Sequence, residues 1–135
     1  QLMATPLQVT QMIAMVARDG TKVVPHVRRG GALPPVATPL QPALLAEIRQ
    51  GLHDVVHGGH GTASRSRLRE VDASGKTGSA EAGRDREPHA WFAGYAPSDK
   101  PKYAFTVFVA HAGHGGDVAA PIAADLMLKL LGKEP

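Results

Sequence analysis

The sequence contains no cysteine and no asparagine, and aromatic residues make up only 4% of its 135 positions. Because cysteine is absent, the chain has neither a disulfide framework nor a thiolate nucleophile. Its apolar runs fall short of the roughly 18 residues that a membrane-spanning helix needs, and no signal peptide is visible. Any anchor or export signal is therefore expected upstream of Gln1.

The scarcity of aromatic residues also argues against nucleic-acid binding. The formal net charge is +3, but the basic residues are scattered, and the densest group is Arg65, Arg67 and Arg69. No aromatic side chain that could stack on bases lies beside that group. A solvated strand edge or loop accounts for it, and no nucleic acid is predicted as a partner.

Two segments of the first half share the helix-start sequence Thr-Pro-Leu-Gln, at 5–8 and 38–41. In the first segment, Thr5 is expected to cap the helix, with Pro6 in the first helical position and Gln8 closing a capping box. Apolar periodicity predicts one helix that ends at Gly20 and a second over residues 40–56. The expected buried stripes are Val9, Met12, Ile13 and Val16, and Leu44, Leu45, Ile48, Leu52 and Val55.

The second half is predicted to form three strands and a helix. A strand around Lys76 precedes strands at 88–95 and 102–110, which a turn at 97–101 joins. Both alternating sets of the last strand are apolar, which predicts burial on both faces and a central place in the sheet. A final helix is expected from Asp117, as its cap, to about residue 131, with Val118, Ile122, Leu126 and Leu130 buried.

These elements place the chain in the α/β class, in the α+β sense. Residues 1–64 form a helical part, and residues 65–135 form an antiparallel meander with a helix that covers one face. Both parts are expected to belong to a single domain.

The Gly75-Lys76-Thr77 sequence has two interpretations. A phosphate-binding loop needs a glycine five residues before the Gly-Lys pair, but Glu70 stands there and would repel phosphate. In serine acyl-transferases, a Lys-Thr-Gly strand instead forms one wall of the cleft. Such a wall needs a cation and a hydroxyl for the substrate carboxylate, a glycine where the substrate backbone approaches, and an N–H aimed at the oxyanion. Residues 76–79 offer all four.

Several blocks of the chain, in the same order, resemble class B penicillin-binding proteins. Residues 5–8 match the sequence that opens a helix in that family, and residues 75–80 are followed at the family's interval by residues 89–97. The remaining matches are at 55–63, 101–103 and 115–123. The glycine-rich passage 111–116 is similar to that of the elongation type, the relatives of penicillin-binding protein 2.

The resemblance implies the penicillin-binding, serine β-lactamase-like transpeptidase fold and the chemistry of a peptidoglycan D,D-transpeptidase. A serine would attack the penultimate D-alanine carbonyl of a D-Ala-D-Ala stem peptide and release the terminal D-alanine. It would then pass the acyl group to a neighbouring amine, and β-lactams would acylate the same serine. No cofactor is implied. The protein would be anchored in the inner membrane, with this domain in the extracytoplasmic space (the periplasm) and elongation proteins of the cell envelope as partners.

The resemblance also implies roles for particular residues. Lys76 and Thr77 would bind the carboxylate of the substrate or drug, and Gly78 would leave room for the substrate backbone. Ser79 would supply an oxyanion-hole N–H and a hydroxyl. Trp91 is a candidate cleft-lining residue.

The nucleophile motif of the family, Ser-x-x-Lys, is absent. None of the serines has a lysine three residues later, and the lack of asparagine excludes the second motif, Ser-x-Asn. Ser79 is taken to lack an adjacent base, so this segment is predicted to be inactive alone. It is expected to be the C-terminal part of one transpeptidase domain, to begin as an excised segment would, and to need the N-terminal half as its partner. The alternative is a non-catalytic sensor or interaction module.

Seven histidines raise the question of a metal centre. His53, His57 and His60 lie at helical or near-helical spacing, and His111 and His114 lie in a glycine-rich loop. Neither a His-Glu-x-x-His motif nor cysteine is present. Solvated histidines at a helix end and in loops account for the pattern, and no metal is predicted.

Overall fold

The computed structural model describes residues 3–31, 33–38 and 40–133 of the chain. Its helices are α1 (Pro6–Ala17), α2 (Pro42–His57) and α3 (Ala119–Leu130), and a 3₁₀ helix spans Arg67–Val71. Its strands are β1 (Thr21–Lys22), β2 (Val36–Ala37), β3 (Ser74–Ala80), β4 (His89–Ala96) and β5 (Tyr103–Val109). Strands β1 and β2 form a small ribbon, and β3, β4 and β5 form an antiparallel sheet in that order. None of the helices in these ranges is long and apolar enough to cross a bilayer.

The start of α1 confirms the predicted capping box. The Thr5 hydroxyl accepts a hydrogen bond from the Gln8 backbone N–H (3.3 Å), and the Thr5 N–H donates to the Gln8 side chain (2.8 Å). Of the predicted stripe, Ile13 and Val16 are buried, whereas Met12 is exposed. The helix therefore packs on the sheet over a narrower face than its apolar pattern indicates.

The start of α2 differs from the prediction. The Thr38 hydroxyl donates to the carbonyl of Gly20 instead of capping a helix, and α2 begins at Pro42, after a Gln41 cap without a side-chain bond. The repeated motif therefore does not start this helix, because its hydroxyl is used by the ribbon and Pro42 takes the first helical position, which favours proline. Pro39 lies outside the described residues.

The apolar stripe of α2 is only partly buried. Leu45 is buried, while Leu44 and Ile48 are exposed. Val56, near the end of the helix, is fully buried with the 3₁₀ helix and α3 in the main core. Only part of the predicted apolar face of α2 is therefore buried against the rest of the described structure.

The meander is confirmed, but its central strand is β4 and not β5. Phe105 of β5 packs in the core with α3, and Ala104 packs with α1, so helices cover both faces. No strand in the described ranges pairs with the outer edge of β5, and Tyr103 and Phe108 are 38% and 39% exposed. Apolar residues on both faces therefore reflect the two helical layers and do not reveal whether both strand edges are paired.

Helix α3 was predicted with the wrong cap and the wrong buried face. Val118 occupies the cap position without a side-chain bond, in place of Asp117. Ile122, Leu126 and Leu130 are 43–46% exposed. The buried side consists of small residues and two larger ones: Ala119, Ala120, Ala123, Ala124, Met127 and Leu128. Alanines allow the helix axis to approach the sheet closely, so the bulkier side chains lie outside.

Candidate functional site

The Lys76–Ser79 stretch lies in β3, as predicted, and pairs antiparallel with β4. Lys76 is opposite Ala93, and Ser79 is opposite Ala90. The other edge of β3 has no neighbouring strand within the described ranges. A cavity of about 450 Å³ opens beside it, lined by Thr62, Lys76, Thr77, Gly78, Ser79, His114, Gly115, Gly116 and Asp117. The strand thus forms a wall whose polar side chains face open space.

Lys76 and Thr77 form one polar group with Thr62. The Lys76 ammonium donates to the Thr77 carbonyl (2.9 Å) and to its hydroxyl (3.2 Å). The Thr77 hydroxyl is also 2.6 Å from the hydroxyl of Thr62. Because Lys76 is exposed, its charge is available to an anion from solvent. A carboxylate bound at this position could accept hydrogen bonds from both the Lys76 ammonium and the Thr77 hydroxyl.

Ser79 lies beside a histidine, which corrects the expectation that it has no adjacent base. Its hydroxyl is 3.2 Å from Nδ1 of His114, in the loop before α3. Sequence reasoning missed this contact, and also that between Thr62 and Thr77, because the partners are 35 and 15 residues apart. The glycines around His114 are the one local signal that this loop could lie close to another backbone.

Two glycines hold that loop against the strand. A Cβ atom on Gly115 would lie inside contact distance of the Trp91 carbonyl oxygen, and 2.5 Å from the Gly78 carbonyl oxygen. A Cβ atom on Gly116 would meet the carbonyl of Thr62. Only residues without a side chain fit here, so these positions fix the distance between His114 and β3.

The side chain of Trp91 lies outside the cavity beside Lys76–Ser79. Its ring centroid is 4.6 Å from that of Phe108, at 57°, and its side chain borders a groove with Met3, Ala4 and Val9. The cavity beside Lys76–Ser79 is not lined by Trp91, so a cleft role for its ring stays a prediction.

Three side chains that could bind a metal ion lie together just before the start of β3. The rings of His53 and His57 stack with centroids 4.1 Å apart, and Nε2 of His57 is 3.5 Å from the Asp72 carboxylate. The three residues offer ligand atoms that lie within 4.8 Å of one another. His53 and His57 do lie at the end of a helix, as predicted, but His57 is only 20% exposed and is therefore not a freely solvated histidine. The third partner is a carboxylate that no spacing motif connects to the histidines.

The environment of His57 favours its neutral form. Burial lowers the pKa of His57 below its ordinary value, and the neighbouring His53 lowers it further. The carbonyl of Ala73, 3.2 Å from Nε2, and the carboxylate of Asp72 act in the opposite direction.

A family model, the penicillin binding protein transpeptidase domain, matches residues 2–128. The chain belongs to this family, and the predicted fold class is confirmed. It is 32% identical to peptidoglycan D,D-transpeptidase MrdA of Haemophilus influenzae, over 92% of this chain and 23% of that protein. The chain therefore spans about a quarter of the length of that relative.

Two solved structures are similar to the chain. Penicillin-binding protein 2 of Helicobacter pylori, in complex with MreC, matches with a TM-score of 0.85 and 29% identity, over 96% of this chain and 25% of that one. Penicillin-binding protein A of Mycobacterium tuberculosis, as a ceftriaxone acyl-enzyme, matches with a TM-score of 0.74 and 26% identity, over 91% and 31%. The likeness to penicillin-binding protein 2 confirms the predicted resemblance.

Proposed function

We propose that this chain supplies the substrate-binding wall of a peptidoglycan D,D-transpeptidase. The observation that carries the proposal is the group on β3: the Lys76 ammonium and the Thr77 hydroxyl, 3.2 Å apart, beside an open cavity. MrdA, a relative with this activity in its name, supports the assignment.

In this proposal the terminal carboxylate of a D-Ala-D-Ala stem peptide binds to Lys76 and Thr77. Charge-assisted hydrogen bonds of this kind are about twice as strong as neutral ones. The Ser79 backbone N–H stabilises the oxyanion that forms on the scissile carbonyl. Gly78 leaves the face of the strand open to the substrate backbone.

The acylating serine belongs to a Ser-x-x-Lys motif that the 135 residues do not contain. That serine attacks the penultimate carbonyl, the peptide C–N bond breaks, and D-alanine leaves with the transferred proton. The amine of a second stem peptide then takes the acyl group and releases the serine. A β-lactam enters the same step, and the ceftriaxone acyl-enzyme of the M. tuberculosis relative supports this reaction.

Ser79 serves here as a binding hydroxyl and not as the nucleophile. Its partner His114 is exposed, and within the described residues its ring makes no second hydrogen bond that would orient it as a base. A nucleophile–base pair ordinarily has a third group that orients the base. We assign His114 the role of orienting the Ser79 hydroxyl toward the cavity.

The proposal extends to location and partners. The domain works outside the cytoplasmic membrane, attached to an anchor in the same protein, together with elongation proteins of the cell envelope. The complex of H. pylori penicillin-binding protein 2 with MreC supports a partner of that kind. The N-terminal half of the transpeptidase domain completes the cleft.

The test compares Lys76→Ala with Lys100→Ala in the complete protein, labelled with a fluorescent penicillin. Both lysines are exposed, but Lys100 lies in the turn between β4 and β5. Loss of a transition-state contact of a few kcal/mol predicts acylation at least about 100-fold slower in Lys76→Ala, with Lys100→Ala unchanged. Equal acylation of both variants would refute the role. No acylation of the wild-type protein would favour the non-catalytic module.

A further inference from the structure

We propose that His53, His57 and Asp72 bind a zinc-like divalent transition-metal ion, which joins the end of α2 to the turn that leads into β3. This site is separate from the Lys76–Ser79 wall, and the proposal does not depend on the transpeptidase function.

Two of the ligands are fixed by helix geometry. His53 and His57 are four residues apart on α2 and therefore lie on the same face of the helix. Their rings are nearly parallel, at 13°, with centroids 4.1 Å apart. The helix ends at His57, so both imidazoles are at the end that approaches the strand entry.

The third ligand comes from a rigid turn. Asp72 adopts the left-handed conformation (φ 50°, ψ 51°) after the 3₁₀ helix. Its carbonyl accepts from the Ser98 hydroxyl (2.6 Å) and from the Ser98 N–H (2.7 Å). These bonds hold the backbone in place, while the carboxylate remains 45% exposed and free to rotate toward the imidazoles.

The distances fit a site that closes on an ion. The ligand atoms lie within 4.8 Å of one another, and a tetrahedral zinc centre with bonds of about 2.1 Å needs them about 3.4 Å apart. The distance from His57 Nε2 to the Asp72 carboxylate is already 3.5 Å, and an ion on Nε2 would replace the hydrogen bond of that nitrogen to the Ala73 carbonyl (3.2 Å). The three side chains are partly exposed, His57 least of all at 20%, and their rotation can supply the remaining contraction.

The donor set selects the class of ion. Two imidazoles with one carboxylate suit zinc and its neighbours, whereas calcium and magnesium prefer sets of oxygen ligands. A cavity of about 450 Å³, bordered by His53, Asp72, Ser74, Ser98 and Asp99, adjoins the group. It leaves room for a water molecule as the fourth ligand.

Two cations lie near the group, and each has a partner of its own. Arg49 borders the same cavity, but its guanidinium donates twice to the Val16 carbonyl and pairs with Asp19 at 2.8 Å. Arg69 donates to the backbone carbonyl of His57 at 3.0 Å. The charge of Arg49 is therefore paired with Asp19, and the effect of Arg69 on His57 is outweighed by that of the Asp72 carboxylate.

A bound ion would connect the helical part to the functional strand. Lys76 is four residues after Asp72, about 13 Å along an extended chain. A link between α2 and Asp72 would restrict movement of the start of β3, and hence of the Lys76–Ser79 wall.

The test measures metal binding by the purified, chelator-treated protein. Titration with Co²⁺ is expected to give the intense visible absorption of a low-symmetry site, saturating at one equivalent and lost on addition of Zn²⁺. His53→Gln and Asp72→Asn are expected to weaken binding by about tenfold or more. Asparagine tolerates the left-handed conformation, so Asp72→Asn preserves the turn. The matched control is His60→Gln, which removes a histidine outside the trio.

Thermal unfolding supplies a second readout. A ligand at 100 times its Kd stabilises the folded protein by about 2.7 kcal/mol, so zinc should raise the Tm of the wild type and of His60→Gln. A Kd ten times higher leaves about 1.4 kcal/mol at the same zinc concentration, so the rise for Asp72→Asn should be about half as large or less. Absence of saturable Co²⁺ binding by the folded wild type would overturn the proposal. Binding that survives Asp72→Asn and His53→Gln would overturn it equally.

Discussion

The close contact of Gly115 with the sheet allows a quantitative test of how the site is assembled. In Gly115→Ala, the new methyl group would lie 2.5 Å from the Gly78 carbonyl oxygen and 2.9 Å from its nitrogen, and even closer to the Trp91 carbonyl oxygen. These are backbone atoms of paired strands, which cannot rotate away as a side-chain terminus can. Relief therefore requires the loop to move off the strand by about 1 Å.

The expected loss of stability is about 2 kcal/mol, within the range of 1–3 kcal/mol for overpacking a close-packed site. The same shift would take His114 Nδ1, now 3.2 Å from the Ser79 hydroxyl, beyond hydrogen-bonding distance. Gly59→Ala is the matched control, because a Cβ atom there meets nothing within 4 Å and its φ is not positive. That variant should be neutral, or more stable by about 0.5 kcal/mol because its unfolded chain has less freedom.

Urea unfolding of the wild type and the two variants measures the difference, and a crystal structure of Gly115→Ala measures the loop position. The free energies of unfolding of the two variants should differ by about 2 kcal/mol or more. Equal stabilities would refute the claim that Gly115 is required by close packing. A variant destabilised as expected but with the Ser79–His114 bond intact would refute the link between packing and the site.

Three further predictions concern the site, the core and the chain alone. Thr62→Val removes the 2.6 Å hydrogen bond to the Thr77 hydroxyl. It should slow penicillin acylation several-fold and change the free energy of unfolding by about 1 kcal/mol. An unchanged acylation rate would contradict this prediction. Ala123→Leu, on the buried face of α3, should lower thermal stability by about 1–3 kcal/mol, whereas Ile122→Leu should not. The isolated 135-residue chain should form no covalent adduct with a fluorescent penicillin, and a stoichiometric adduct by mass spectrometry would show that it contains the nucleophile.

The strands of the sheet and their antiparallel meander could be predicted from local signals, but not which strand is central. Alternating apolar residues and short turns fix which segments are strands, and consecutive antiparallel strands usually pair. The helix faces could not be predicted as well. In α3, an apolar scale favours Ile122 over Ala123, although close packing against the sheet requires the smaller side chain. The hydrophobicity of a side chain can be read from the sequence, but the space available to it between the helix and the sheet cannot.

The contacts of the site were the least predictable part. The resemblance indicated Lys76, Thr77 and Ser79, but not the side chains that touch them. His114 reaches Ser79 across 35 residues, and Asp72 reaches His57 across a turn and a 3₁₀ helix. Such pairs depend on how whole elements pack, and a single sequence contains no periodic signal for them.

The burial pattern of β3 explains why its chemistry and its stability are separable. Ser74 and Gly75 are buried, and a Cβ atom on Gly75 would lie 2.5 Å from the Phe92 ring. From Lys76 onward the strand is exposed or half-buried. The first two residues therefore anchor the strand in the core, and the next four can present charge and hydroxyl groups with little effect on packing. Substitutions at Lys76 should then act on binding, whereas those at Gly75 should act on folding.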